Sequence, residues 1–146
     1  MSNIEFICNI KPNSYALEHP LGLRITLNDE IIYNKEFIDT EERYSYTMPD
    51  DKNQWQLEFE LYNKTDSHTL LDDQGNVVSS AEIKISEMSF DGISLDNLTT
   101  NIITYTHNLN GYGNSRTESF LGTMGCNGAV TLKFTTPIYF WLLNHM

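Results

Sequence analysis

Positive charge is what this chain has least of. Nine lysines and arginines stand against twenty aspartates and glutamates, a formal net charge of −11 over 146 residues. Nucleic acid is therefore excluded as an expected partner, because phosphate binding rests on Lys and Arg and no cluster of them offsets the average. An acidic surface suits solubility, a basic partner or a cation. Long apolar runs are missing too. The longest, residues 138–143, is far short of the ~20 residues a membrane helix needs, so no membrane partner is expected. The first residues carry no basic stretch ahead of an apolar one, and no signal peptide is expected. Cysteine is scarce, with Cys8 and Cys126 near opposite ends of the chain. Two cysteines make no disulfide framework. Either they bridge the first and last strands of a sandwich, or they stay reduced and buried in a chain made inside a cell. The Asn-x-Thr triplets at Asn63 and Asn97 carry meaning only after secretion. Helical periodicity is almost absent. A hydrophobic content of 40% and 12% aromatics exclude a disordered chain, and the length suits one domain over residues 1–146.

What is present is period two. Trp55, Leu57, Phe59 and Leu61 alternate with Gln56, Glu58 and Glu60, the pattern of a strand with one dry and one wet face. Ile83 and Ile85 repeat it, but Met88 and Phe90 are in the opposite phase. A β-bulge at Ser86–Glu87 would absorb the slip. Asp91-Gly92 is a hairpin signal leading into Ile93. Ile4, Phe6, Cys8 and Ile10 share a face. Residues 21–27 and 30–37 read as a hairpin about Asn28-Asp29. Residues 11–20 and 39–42 read as loops. Tyr44, Tyr46 and Met48 make a short strand, and Val130, Leu132 and Phe134 point inward from the last clear one. Residues 98–105 fit a strand end or one helical turn. Residues 106–128, rich in Asn, Gly and Ser, read as a long loop with a short strand at 118–123; such a loop is unusual unless functional. These features predict an all-β chain, a two-sheet jelly-roll-like sandwich with at most one short helix near the C-terminus, with a barrel as the alternative.

Residues 136–146 are the most apolar segment. Thr136 and Pro137 suit an N-cap and a first helical position. Ile138, Trp141 and Leu142 then share a helical face, while Ile138, Phe140 and Leu142 share a strand face. Either way both faces are apolar, and a second surface is implied. Ile138, Tyr139, Phe140, Trp141 and Leu142 are therefore interface candidates, docking on the sandwich itself and on a subunit or neighbour; complete burial in the chain's own core is the alternative.

Candidate chemistry is sparse. No Gly-x-Ser-x-Gly occurs, and His19, His68, His107 and His145 stand singly, without zinc spacing. Cys126, in Met124-Gly125-Cys126-Asn127-Gly128, is either an exposed-turn nucleophile or a small residue entering a strand. No enzymatic activity is expected. Asp72, Asp73 and Asn76 share a tight turn with Asp91 on a neighbouring strand. They are weak calcium ligands on composition, and Asp and Asn are also ordinary turn residues; no cofactor is expected beyond that calcium. In the long loop Tyr105, His107, Asn110, Tyr112 and Arg116, with Asn108 and Asn114, mix rings with planar polar groups. Glycans and protein partners are both bound by that mixture, and a loop packed on its own sheet uses it too.

Several of these motifs occur in a familiar order: the Trp55–Leu61 alternation, Asp73-Gln74-Gly75, Ile83-Lys84-Ile85, Phe90-Asp91-Gly92-Ile93, Met124-Gly125-Cys126-Asn127-Gly128 and the Thr136-Pro137-Ile138-Tyr139-Phe140-Trp141 end. Over most of its length the chain resembles small proteins of marine tailed phages, including those infecting cyanobacteria, whose functions are unsettled. Residues 73–95 also resemble the core hairpin of calcium-dependent, xylan-binding carbohydrate-binding modules. The first resemblance implies a virion component made in the host cytoplasm: a non-enzymatic capsid decoration or a tail- or neck-associated protein, with other virion proteins or itself as partners. The second implies a carbohydrate-binding module serving host or surface attachment, with a surface glycan as partner.

Overall fold

The computed structural model describes residues 3–96 and 102–145. In chain order the first elements are β1 (Asn3–Pro12), α1 (Ser14–Glu18), β2 (Leu21–Leu27), β3 (Glu30–Ile38), β4 (Glu42–Pro49) and β5 (Gln54–Leu61). Next come β6 (Thr69–Leu71), β7 (Val77–Ser80), β8 (Ile83–Phe90), β9 (Ile93–Ser94) and β10 (Ile103–His107). The chain closes with β11 (Arg116–Ser119), β12 (Thr123–Met124), β13 (Gly128–Thr135) and α2 (Ile138–His145). One sheet runs β12-β8-β1-β4, with β9 beside the outer edge of β8; the other runs β11-β10-β13-β5-β2-β3. Every pairing is antiparallel. The chain is an all-β, two-sheet, jelly-roll-like sandwich, and β6–β7 is a separate two-stranded hairpin outside both sheets.

Alternation builds the core. Ile4, Phe6, Cys8 and Ile10 of β1 are buried, and so are Trp55, Leu57, Phe59 and Leu61 of β5. Ile83, Ile85, Leu132 and Phe134 join them in one cluster. Rings lock the two sheets face to face. Phe6 and Phe59 lie 6.2 Å apart, and Phe90 and Phe134 4.6 Å apart. The bulge sits where the phase slip put it. Ile7 pairs with Ser89 but Asn9 with Ser86, so Cys8 spans two residues and Glu87 takes a φ of 54°. That extra residue returns Met88 and Phe90 to the buried side with Ile83 and Ile85. The Asn28-Asp29 and Asp91-Gly92 turns have positive φ at both positions, the hand that matches strand twist in tight hairpins.

The open side between β3 and β4 is stitched by side chains. The Tyr33 hydroxyl donates to the Glu42 carboxylate, Tyr44 donates to the Ile32 carbonyl at 3.0 Å, and Lys35 lies 3.3 Å from Glu42. Burial pushes the Tyr44 phenol and the Cys8 thiol each up to about 12. Cys8 and Cys126 are both free thiols.

Three expectations need correction, and one strand is added to them. Residues 11–20 are not all loop, because Asn13 caps one turn of helix: its Oδ1 accepts from Ala16 N–H at 2.9 Å, and Ala16 is buried. Residues 77–80 form a strand, β7, which the acidic turn before them conceals. The stretch 106–128 holds less loop than expected, and its strand lies at Arg116–Ser119 instead of 118–123: β11 pairs with β10 in register, Thr104 to Ser119 through His107 to Arg116, with residues 108–115 as the connection between them. Thr136 does not cap α2, since its hydroxyl donates to the Lys52 carbonyl at 2.6 Å. Residues 98–101 of the ambiguous 98–105 stretch, and the Asn97 triplet, lie outside the described residues.

Phe59 is fully buried between Ile25 of β2 and Val130 of β13. Phe59→Ala should lower stability by roughly 3–5 kcal/mol, as deletion of a buried ring does. A loss below about 1 kcal/mol in a denaturant titration would show that this face is misplaced.

Candidate functional site

The two ends of the sandwich differ in kind. At one end the loops are held by a buried amine. Lys64 follows β5 and is only 7% exposed. Its Nζ donates to Ser80 Oγ at 2.6 Å, the Ala81 carbonyl at 2.9 Å and the Gly125 carbonyl at 2.7 Å. An ammonium has three donors, and here each meets an oxygen. Burial lowers the Lys64 pKa. Backbone contacts extend the tie. Lys64 N–H donates to Asn127 Oδ1, Asn127 Nδ2 donates back to the Lys64 carbonyl, and Asn127 N–H donates to Asn110 Oδ1 at 2.7 Å.

The residues expected to bind from the 105–116 stretch divide sharply. Tyr105 and His107 are buried on the inner side of β10. The Tyr105 hydroxyl donates to the Cys126 carbonyl and accepts from the Cys126 N–H at 2.9 Å, and burial raises the phenol's pKa. His107 Nδ1 accepts from the Leu109 N–H at 3.2 Å. That assigns the proton to Nε2, which meets the Glu118 carboxylate at 2.6 Å. Asn110 is spent on Asn127. These three side chains hold the loop rather than face a partner. Tyr112 and Arg116 point outward, Tyr112 being 79% exposed with its hydroxyl on Asp66 at 3.0 Å. The warning was the i, i+2 spacing of Ile103, Tyr105 and His107, a strand pattern masked by the asparagines and glycines after it.

The Asp72 carboxylate is occupied by its own turn. It accepts from Gln74 N–H at 2.9 Å and Asn76 N–H at 2.8 Å, which lowers its pKa. Asp73 and Asn76 are exposed on the same turn. Asp91 lies at the far end of β8 and accepts from Glu5 N–H at 2.8 Å, so it does not join them. Among the described residues, no three His, Cys, Asp or Glu side chains gather around a metal-sized space.

The other end of the sandwich carries α2. Ile138, Trp141 and Leu142 are buried, and Trp141 packs edge-on against Phe134 at 6.0 Å. Tyr139, Phe140 and Leu143 face outward at 53%, 67% and 69% exposure. The helical alternative therefore holds for this segment: three of the apolar side chains dock on the chain's own core and three do not. Beneath α2 an open cleft of about 510 Å³ is lined by Trp55, Trp141, Gln54, Gln56, Lys133 and Thr135, among others. A second apolar surface is the β6–β7 hairpin, where Leu70, Leu71, Val77 and Val78 are 48–64% exposed. Among the described residues no helix is long and apolar enough to cross a membrane.

Comparison with protein-family models, with curated proteins and with solved structures gave no match.

Lys64→Ala should destabilise by about 1–3 kcal/mol, because buried acceptors lose their donor. The effect should be local, with faster amide exchange over residues 124–128 and unchanged protection in β1 and β2. Uniform loss of protection through both sheets would show that Lys64 supports the whole core and not one end.

Proposed function

We propose that the chain is a non-enzymatic structural component of a phage particle, a β-sandwich held between neighbouring proteins. The observation that carries this reading is the division of α2. Its inner face completes the chain's own core through Phe134, while Tyr139, Phe140 and Leu143 project into solvent. A single exposed apolar residue needs no explanation, but three on one short helix favour a contact surface. Aromatic residues are also the side chains that anchor protein interfaces. The β6–β7 hairpin supports the same reading, since it stands outside both sheets and presents four aliphatic side chains. A sandwich with a closed core and two apolar projections suits a decoration or a tail- or neck-associated role. The resemblance of its motif order to marine phage proteins supports the same reading.

Mass spectrometry of purified particles of the encoding phage should find the chain in stoichiometric amount. Tyr139→Ser, Phe140→Ser and Leu143→Ser combined should leave the melting temperature within a few degrees and abolish incorporation. A chain absent from particles and monomeric in sedimentation at every concentration would contradict the reading.

A further inference from the structure

The β6–β7 ribbon lacks a protection that the longer edge strands of both sheets have. Charged side chains on an edge discourage pairing with other chains. β3 carries Glu30, Lys35 and Glu36, β4 carries Glu42 and Arg43, and β11 carries Arg116 and Glu118. β6 and β7 carry no charge, and their Leu70, Leu71, Val77 and Val78 are exposed. A two-stranded ribbon cannot bury a face by itself.

The charges around the ribbon sit at its two ends and are of opposite sign. Its tip is the turn holding Asp72 and Asp73, both exposed, and residues 65–83 contain no lysine or arginine. A lysine pair stands at its base. Lys11 of β1 is directly opposite Lys84 of β8, both exposed, beside a depression of about 270 Å³ that Thr123 also lines. Asn13 ties these strands to the ribbon: its Nδ2 donates to the Ser80 carbonyl at 2.8 Å and its N–H to the Glu82 carbonyl at 3.0 Å. Like charges directly opposite on a sheet repel. Among the described residues no carboxylate lies within ion-pair distance of either lysine. Glu82 lines the same depression, but its carboxylate lies toward Gly125 and Lys64.

We propose that the β6–β7 ribbon is the contact of a twofold dimer of this chain, in which two ribbons lie antiparallel. The acidic tip of each then reaches the lysine pair at the base of the other, and the four aliphatic side chains are covered between them. A twofold contact uses one surface twice, so that surface must carry both halves of every pairing. This one does, with two carboxylates at one end and two ammonium groups at the other. A basic partner of another kind would answer Asp72 and Asp73 and leave the lysines opposed; an acidic one would do the reverse. The dimer rests on the reading of the ribbon as a contact surface and names what it contacts. The outer face of α2, at the opposite end of the sandwich, stays free for the particle.

Sedimentation of the full chain should show its mass rising from monomer toward dimer between about 10 µM and 1 mM, the weak range of a small contact. Asp73→Lys combined with Gln74→Lys should lower the dimer affinity about tenfold or more, and so should Lys11→Glu combined with Lys84→Glu. All four positions are exposed, so the melting temperature of the monomer should hold. Mixed in equal amounts, the two variants should dimerise again, because each tip then meets a base of opposite sign. Tyr139→Ser, Phe140→Ser and Leu143→Ser combined should leave the dimer intact. Charge variants that dimerise like the parent, a mixture that stays monomeric, or a dimer lost with the α2 variant would overturn the proposal. A chain monomeric throughout that range yet present in particles would overturn the dimer and leave the particle reading standing. A dimer absent from particles would support the contact and overturn the particle reading.

Discussion

The contact between Phe90 and Phe134, 4.6 Å apart across the two sheets, is the constraint from which most of the molecule follows. Phe90 also meets Phe6 at 5.4 Å, Phe6 meets Phe59 at 6.2 Å, and Phe134 meets Trp55 and Trp141 at 6.5 Å and 6.0 Å. These rings form one continuous column, and each buried ring contributes on the order of 1.5–3 kcal/mol of transfer free energy. The column fixes register as well as stability, because a one-residue slip in either sheet would turn its rings outward. This is why the bulge at Glu87 is required. Without the extra residue Phe90 would leave the column.

The column also decides what each end of the sandwich does. At the helix end it continues through Trp141 into α2, so half of that helix is core and the other half is surface. Phe140 is exposed because its neighbour Trp141 is not. At the loop end the Tyr105 and His107 rings pack on each other at 4.7 Å, and Lys64 ties the surrounding loops. Its ammonium gathers oxygens from segments 16, 17 and 61 residues away in sequence. One end is closed by apolar packing that leaves Tyr139, Phe140 and Leu143 exposed; the other is closed by hydrogen bonds and carries the β6–β7 hairpin.

The strands and their facing were legible because burial on one side imposes period two. Residues 4–10, 21–27 and 55–61 carried it openly, and the phase slip at Met88 even placed the bulge. The two primed turns were legible from Asn28-Asp29 and Asp91-Gly92. What escaped depends on partners distant in sequence. Nothing around Lys64 marks it as buried, since its oxygens come from Ser80, Ala81 and Gly125. Tyr105 and His107 looked like a binding pair because ring-and-amide composition is the same whether a loop faces a ligand or packs on Cys126 and Glu118. The α1 turn rests on a single capping asparagine, too little for a periodic signal. The cleft was invisible because Trp55 and Trp141 meet only after the sheets close.

The claim that α2 is a rigid platform anchored by the column, displaying its outer face, is tested most directly by hydrogen exchange over residues 138–145 in the full chain at low concentration. The account predicts that the amides of Trp141 and Leu142 are protected on the scale of β13, with Tyr139, Phe140 and Leu143 carried on the same ordered helix. Exchange of the whole segment at the rate of an unstructured chain would contradict it.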